Sequence, residues 1–330
     1  MEFGVCFMCD PPVSRVVAMT QRAEAAGFDY TWLWDSHILW EEVYPIFALM
    51  ATGTERIRIG PCVTNPATRD VTVTASAMAT LNEISQGRMV VGMGRGDSAR
   101  RVIGKKPVSV EEMELACRRI KDLAEGREID YDGTPLTLKW SQGHPLEIWV
   151  AAYGPKALRA AGRVADGLIM QLADPYIVEW SLPYLRQGAE EAGRDPASIK
   201  LMCAAPAYIT DDLAHARDEV RWFPALVSNH VVDLVSRYAE TELPRELTDF
   251  IAARDHYDYA DHGRTGAEHA AFVTDEVVDR FCVLGTAEEV RRKLSELQGL
   301  GMDQFNIYSM VDDPEGVIDA FGRDIIPAFT

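Results

Sequence analysis

Short apolar runs alternate with longer amphipathic segments along almost the whole chain. Eight runs rich in β-branched and aromatic residues predict buried strands at residues 2–8, 29–34, 57–63, 88–93, 147–152, 167–172, 201–209 and 304–308. Segments of helical periodicity predict helices at residues 13–26, 43–53, 70–85, 155–164, 175–193, 211–225, 286–299 and 314–326. Eight alternating units predict an α/β fold of the (β/α)8-barrel, or TIM-barrel, class; an open doubly wound sheet is the competing fold.

Two stretches interrupt this alternation. Residues 111–125 predict an extra helix after the fourth strand, and residues 130–139, with their Asp-Gly turn, predict a small hairpin. Residues 226–280 carry four of the seven histidines but little regular periodicity. We therefore expect one domain spanning residues 1–330, in which residues 226–280 form a mostly helical insertion or lid.

The charge of the chain limits its partners. A net charge of −18 opposes binding to nucleic acid or to an anionic membrane surface. No apolar run approaches the roughly 20 residues of a membrane helix. The six cysteines are spread through apolar segments, as expected of buried thiols in a reducing cytoplasm. We expect a cytoplasmic protein whose partner is a small molecule.

One short segment reverses the acidic balance. Between Arg95 and Lys106 there are five basic residues and a single acid, Asp97. Such a cluster indicates either an anion-binding site or a solvated surface.

The residues that follow the predicted strands are the first candidates for chemistry, because barrel enzymes place their active sites at the carboxyl ends of the strands. Asp35 and His37 are two residues apart and are either an acid/base pair or residues held by neighbouring loops. Asp97 is either a catalytic acid or a helix cap. Gly154 and Pro155 open a predicted helix whose free amides are suited to phosphate, although the same pair is also ordinary helix capping. The rim has no clustered set of three metal ligands, so no metal site is predicted.

Several longer motifs carry a resemblance to a known family. They are Ile-Arg-Ile-Gly-Pro-Cys-Val-Thr-Asn-Pro at 57–66, Leu-Asn-Glu-Ile-Ser-Gln-Gly-Arg at 81–88, Gly-Met-Gly-Arg-Gly-Asp at 92–97 and Ala-Tyr-Gly-Pro-Lys at 152–156. Together they resemble the bacterial luciferase-like oxidoreductases, in particular the methylenetetrahydromethanopterin reductase branch. The resemblance covers most of the chain outside residues 226–280.

The resemblance implies a barrel with a bulged third strand and a non-prolyl cis peptide, here Cys62–Val63, behind a flavin or deazaflavin ring. It implies a catalytic group of His37, Trp40 and Asp97. In related enzymes the residues matching Asp35 and His37 are adjacent, whereas Ser36 separates them here. The cofactor-binding residues implied are Asp35, His37, Cys62, Val63, Thr64, Asn65, Gly94, Arg95, Gly96, Asp97, Ala152, Tyr153, Gly154, Pro155, Lys156 and Gln171.

The function implied is hydride transfer between coenzyme F420 and a small organic substrate, with the cofactor supplying the redox chemistry. The basic cluster would then meet the acidic tail of F420. The alternative on the same fold is an FMN-dependent monooxygenase that uses dioxygen and reduced flavin from a partner reductase. A metal-dependent barrel hydrolase and a non-catalytic flavin-binding barrel are further alternatives. Relatives of this kind usually form homodimers.

Overall fold

The computed structural model describes residues 1–10, 12–235, 245, 249 and 257–329. Its centre is a sheet of eight parallel strands. They are β1 (Glu2–Phe7), β2 (Tyr30–Leu33), β3 (Arg58–Pro61), β4 (Val90–Met93), β5 (Glu147–Ala151), β6 (Gly167–Met170), β7 (Lys200–Ala205) and β8 (Gln304–Tyr308).

These strands close into a barrel. Their order in the sheet is β3-β2-β1-β8-β7-β6-β5-β4. Parallel bridges from Ile59 to Met89 and from Thr64 to Met93 join β3 to β4 and complete the ring. The predicted (β/α)8 barrel is confirmed, and the competing open sheet is excluded.

Almost all strand residues are buried, whichever face of the sheet their side chains are on, and this explains why the predicted strands are continuous apolar runs. Helices cover the outside of the barrel. They are Val13–Ala25, Val43–Gly53, Val71–Ile84, Asp97–Arg101, Val110–Ala124, Pro155–Val164, Pro175–Glu191, Leu213–Val220, Trp222–Val235, Asp275–Phe281, Ala287–Gly299 and Pro314–Ala320. The last helix continues as a π-helical turn, Phe321–Ile325. The small hairpin is confirmed as two antiparallel strands, Ile129–Tyr131 and Thr134–Leu136.

Two predicted elements are each divided in the structure. The predicted strand 201–209 breaks at Pro206, so that β7 stays in the barrel while Ala207–Ile209 leaves it and pairs with Val283–Gly285. Proline has no N–H to donate to a sheet, and the Pro206 carbonyl accepts from Val283 N at 3.0 Å instead. The predicted helix 211–225 is also divided, since one helix ends at Val220 and another begins at Trp222.

The described part of residues 226–280 is helical or turn-like. It contains most of helix Trp222–Val235, the short 3₁₀ turns Tyr259–Asp261 and Glu268–Ala270, and helix Asp275–Phe281. The prediction for residues 236–244, 246–248 and 250–256 falls outside the described residues. Among the residues that are described, no helix combines the length and apolar character needed to cross a membrane.

Candidate active site

A cleft opens at the carboxyl end of the barrel. The segments that follow β2, β3, β4, β5 and β6 form its walls, and Leu226, His230 and His262 from the insertion contribute to its lining. The space within it is about 1070 Å³ with its open mouth included. The predicted site residues that line it are Asp35, Trp40, Cys62, Val63, Asn65, Gly94, Arg95, Gly96, Asp97, Ala152, Tyr153, Gly154 and Gln171.

The end of β3 forms one wall of the cleft. The peptide between Cys62 and Val63 is cis, as the resemblance implies. Beyond it, Thr64 N donates to Gly92 O at 2.9 Å, and Gly94 N donates to Thr64 O at 2.8 Å. A Cβ on Gly94 would lie 2.6 Å from Val63 Cγ2, so only glycine allows this close approach. Val63 and Gly94 therefore form a part of the cleft wall from which few side-chain atoms project.

Asp35, which also lines the cleft, is a buried carboxylate beside this wall. Burial raises its pKa, while Arg69 and Thr64 act in the opposite direction. Arg69 Nη1 lies 2.8 Å from Asp35 Oδ2, and Thr64 Oγ1 donates to the same oxygen at 2.6 Å. Thr64 does not itself line the cleft. Asp35 thus fixes the segment that follows the cis peptide, and Arg69, which the sequence analysis missed, compensates its charge.

His37 does not join Asp35 in the cleft. Its side chain is exposed and is not part of the lining. The alternation of a strand would place residues 35 and 37 on one side, but β2 already ends at Leu33. The chain then turns, with Leu39 N and Trp40 N both donating to Ser36 O. This turn directs Trp40 into the cleft and leaves His37 on the surface.

A chain of polar side chains runs from the barrel interior to the rim. Gln171 Nε2 donates to Tyr308 Oη at 2.6 Å, and Tyr153 Oη donates to Gln171 Oε1 at 2.8 Å. The same Tyr153 oxygen lies 3.2 Å from His230 Nδ1. On the other side of the imidazole, Nε2 lies 3.7 Å from Asp97 Oδ2. Tyr308, Gln171, Tyr153, His230 and Asp97 therefore form one polar chain.

His262 also lines the cleft. Its ring centroid lies 5.8 Å from those of Trp34 and Trp40, and its Nδ1 lies 2.5 Å from Tyr257 Oη. Burial, together with smaller effects of the nearby His230 and His269, lowers the pKa of His262 to about 3. The ring is therefore neutral at ordinary pH.

Sequence reasoning did not identify either histidine of this site. It noted four histidines in residues 226–280, but their spacing gives no indication of which reach the cleft.

The turn at the end of β5, the strand next to β4 in the barrel, forms another part of the cleft wall. Gly154 is the N-cap of helix Pro155–Val164, and no side chain caps that helix. Gly154 and Ala157 line the cleft, whereas Pro155 is buried and does not. Lys156 is exposed, with its Nζ 2.6 Å from Glu111 Oε1. The feature turned towards the cleft is thus the helix N-terminus rather than the lysine side chain.

Three of the five basic side chains in the cluster contact atoms within residues 97–108. Arg95 Nε donates to Val108 O at 2.6 Å, Arg100 Nε donates to Lys106 O at 2.6 Å, and Arg101 pairs with Asp97. Lys105 and Lys106 are exposed. Arg95 brings its charge to the cleft wall.

One group of described side chains has a geometry that could hold a metal ion. The ligand atoms of His215, Glu219 and Asp312 lie within 4.8 Å of one another, but the group lies outside the cleft. His215 Nε2 pairs with Asp312 Oδ2 at 3.0 Å, and Glu219 accepts from Asp312 N at 2.9 Å. Contacts within the group already explain why these three side chains meet.

Comparisons with known proteins agree with the fold and the motifs. The chain is 30% identical over 335 residues to the 5,10-methylenetetrahydromethanopterin reductase of Methanolobus tindarius, covering 99% of this chain and 100% of the relative. The solved coenzyme F420-dependent tetrahydromethanopterin reductase of Methanopyrus kandleri superposes with a TM-score of 0.79 at 24% identity, covering 100% and 99% of the two chains. A solved F420-dependent secondary alcohol dehydrogenase with an F420-acetone adduct gives a TM-score of 0.76 at 20% identity, with the same coverage.

The sequence profile of the luciferase-like monooxygenases matches residues 1–304. The resemblance stated from the motifs is confirmed, and the chain belongs to the bacterial luciferase-like family.

Proposed function

We propose that this protein is an F420-dependent oxidoreductase that transfers hydride between the deazaflavin and a small organic substrate. The observation that carries the proposal is the cleft itself, in which the wall formed by Val63 and Gly94 and the helix N-terminus at Gly154, which has no side-chain cap, line the same space. The relative from Methanolobus tindarius and the F420-dependent solved structures share its barrel. When bound, the deazaflavin would supply or accept the hydride.

The residues present fit such a cofactor. A planar ring needs a wall without projecting side chains, and Gly94, Ala151 and Ala152 line the cleft beside Val63. An anionic phosphate is favoured at the amino end of a helix, where backbone N–H groups point outward and the helix dipole is positive. Helix Pro155–Val164 presents that end without a competing cap, and Arg95 adds a positive charge.

We assign the substrate side of the cleft to Trp40 and Asp97, with residues 226–280 as the lid. Trp40 supplies an apolar ring, and Asp97 supplies a carboxylate that is 18% exposed. Leu226, His230 and His262 extend this surface from the lid side. His37 was expected to act here, but its exposed position leaves that role to other residues.

FMN-dependent monooxygenation is the second candidate, because the matching family profile is that of luciferase-like monooxygenases. A luciferase-type enzyme would need reduced flavin from a partner reductase. The extra negative charge of the F420 tail separates the two cofactors, since the exposed Lys105 and Lys106 would attract the longer tail more strongly.

Titration of the purified protein with F420 and with FMN, followed by fluorescence, tests the proposal. We expect F420 to bind more tightly, and Gly154→Val to weaken binding at least tenfold while leaving the far-ultraviolet circular dichroism unchanged. Gly299→Val is a matched control, because Gly299 ends helix Ala287–Gly299 away from the cleft, its φ is not left-handed, and no atom lies within 4 Å of an added Cβ. Tight FMN binding without F420 binding would favour the monooxygenase.

We further propose that the protein is a cytoplasmic homodimer. Helix Val43–Gly53 has no charged residue and helix Val71–Ile84 has only Glu83, although the protein as a whole is highly charged. Leu49 and Val73 on these adjacent helices are 50% and 55% exposed. An uncharged surface with exposed apolar side chains is suited to a second copy of the chain. All six cysteines are free and buried, which fits a reducing compartment.

A further inference from the structure

We propose that His230 carries the proton that accompanies hydride transfer, and that its Nε2 is the atom that gains and loses this proton. The inference rests on the proposed hydride-transfer function and assigns a residue within that site. The inference assigns to a side chain of the insertion the catalytic role that the resemblance implies for His37 and Asp97.

His230 is placed at the reaction space by the insertion. It lies on helix Trp222–Val235, lines the same cleft as Val63, Gly94 and Asp97, and keeps only 17% of its side chain exposed. A group that exchanges a proton with a substrate must reach the cleft while remaining largely shielded from water. His230 meets both conditions.

The polar chain determines which nitrogen of His230 carries a fixed hydrogen. Burial raises the pKa of Tyr153 well above its usual value, and Asp97 adds to this effect, so Tyr153 keeps its hydroxyl hydrogen. That hydrogen is donated to Gln171 Oε1, because the Gln171 amide nitrogen is already donating to Tyr308. With Gln171 in this orientation, Tyr153 Oη accepts from His230, and this arrangement places the hydrogen on Nδ1. In the neutral imidazole, Nε2 is therefore the basic atom.

Asp97 stabilises the protonated form of this atom. Its Oδ2 lies 3.7 Å from Nε2, and a carboxylate at this distance favours the imidazolium. Arg101 pairs with Asp97 and moderates this attraction, and Tyr259 Oη lies 3.5 Å from the same carboxylate oxygen. His262, whose ring stacks on that of Tyr259, is neutral. Among the residues that the structure describes, the titratable and charged groups shown to face His230 or its carboxylate partner are Asp97, Arg101, Tyr153, Tyr259 and His262.

The step balances for a carbonyl substrate. Hydride adds to the carbonyl carbon and forms a C–H bond, while the electron pair of the C=O π bond moves to the oxygen. The Nε2–H bond breaks and its proton forms the O–H bond, which leaves His230 neutral and the substrate reduced to an alcohol. The hydride donor is oxidised in the same event. In the reverse direction neutral Nε2 accepts the proton from an alcohol.

Nitrogen NMR of histidine-labelled protein tests the tautomer without any cofactor. We expect neutral His230 to carry its hydrogen on Nδ1, and Tyr153→Phe to abolish this preference. Asp97→Asn should lower the pH at which His230 becomes protonated, because the favourable charge is removed. The His230→Gln spectrum assigns the resonance. A neutral His230 with its hydrogen on Nε2, or a titration that Asp97→Asn leaves unchanged, would overturn the inference.

Kinetics with F420 and the probe pair acetone and 2-propanol test the role in turnover. His230→Gln should lower the rate by about 100-fold and remove one ionisation from the pH profile, while F420 affinity changes less than about twofold. His215→Gln is the matched control, because His215 also pairs with an aspartate but lies outside the cleft.

The outcomes separate the two proposals. If the wild-type protein fails to bind F420, the proposed function fails. If wild type binds and turns over a probe while His230→Gln keeps the rate and pH profile, only the assignment of His230 is wrong. If neither probe is turned over, the NMR titration still decides whether Nε2 is the titrating atom.

Discussion

His262 makes the stability of the cleft depend on pH. Its folded-state pKa of about 3 is far below the value near 6.5 of an exposed histidine. The neutral ring therefore contributes stability above the pKa of the unfolded chain, and this contribution is lost as the pH falls towards the folded value. Between these two values the unfolded state binds the proton and the folded state does not.

The size of the effect follows from the two pKa values. At about pH 5 the unfolded chain has passed its own pKa by about 1.5 units while folded His262 is still neutral. Each unit corresponds to about 1.4 kcal/mol, so acidification from about pH 7.5 to about pH 5 should cost about 2 kcal/mol through this residue alone.

The variant His262→Phe keeps an aromatic ring beside Trp34 and Trp40 but cannot be protonated. Losing the contact with Tyr257 lowers its stability similarly at both pH values, so the comparison depends only on the change with pH. Urea unfolding followed by tryptophan fluorescence should show that the variant loses about 2 kcal/mol less than wild type on acidification. His37→Gln, which alters an exposed histidine, is the control. If acidification lowered the free energy of unfolding equally in wild type and His262→Phe, His262 would not be the source of this pH dependence.

Three further predictions concern packing, charge and assembly. Gly188→Ala should lower the free energy of unfolding by about 1–3 kcal/mol, because the added Cβ would lie 2.0 Å from Arg159 O. Gly299→Ala places its Cβ in open space and should not lower it. Urea unfolding of both variants measures the difference. Changing Lys105–Lys106 to two glutamates should weaken F420 binding by up to about tenfold at low salt and less at high salt, and a titration without this salt dependence would show that the pair does not contact the tail. Leu49→Glu should convert the proposed dimer to a monomer in light scattering, while an unchanged mass would place the interface elsewhere or exclude it.

The sequence predicted the barrel well because parallel strands buried on both faces must be apolar throughout. The strands β2, β4 and β6 are short runs of this kind, and each was predicted within two residues at either end. The break at Pro206 was missed because the apolar run continues on both sides of the proline. The missing N–H of a single residue redirected the chain there, although hydrophobic pattern alone favours one long strand.

The candidate site was predicted where local sequence determines position. Gly94 directly follows β4 and Gly154 comes three residues after the end of β5, so their place on the rim follows from the barrel itself. His37 was misplaced because the alternation of β2 stops at Leu33, before the residue it was used to orient. His230 and His262 could not be placed, because they approach the cleft through the tertiary folding of a long insertion.

One anaerobic measurement tests directly whether this protein transfers hydride with a deazaflavin. The protein is mixed with reduced F420 and a panel of small ketones, imines and methylene-tetrahydropterins, and the visible absorbance of oxidised F420 is followed. We expect the absorbance to appear with at least one substrate and without dioxygen, and deuterium at the hydride position of F420 to be recovered in the product. Hydride transfer with a deazaflavin would be contradicted if no substrate oxidised the cofactor while reduced FMN and dioxygen together supported turnover.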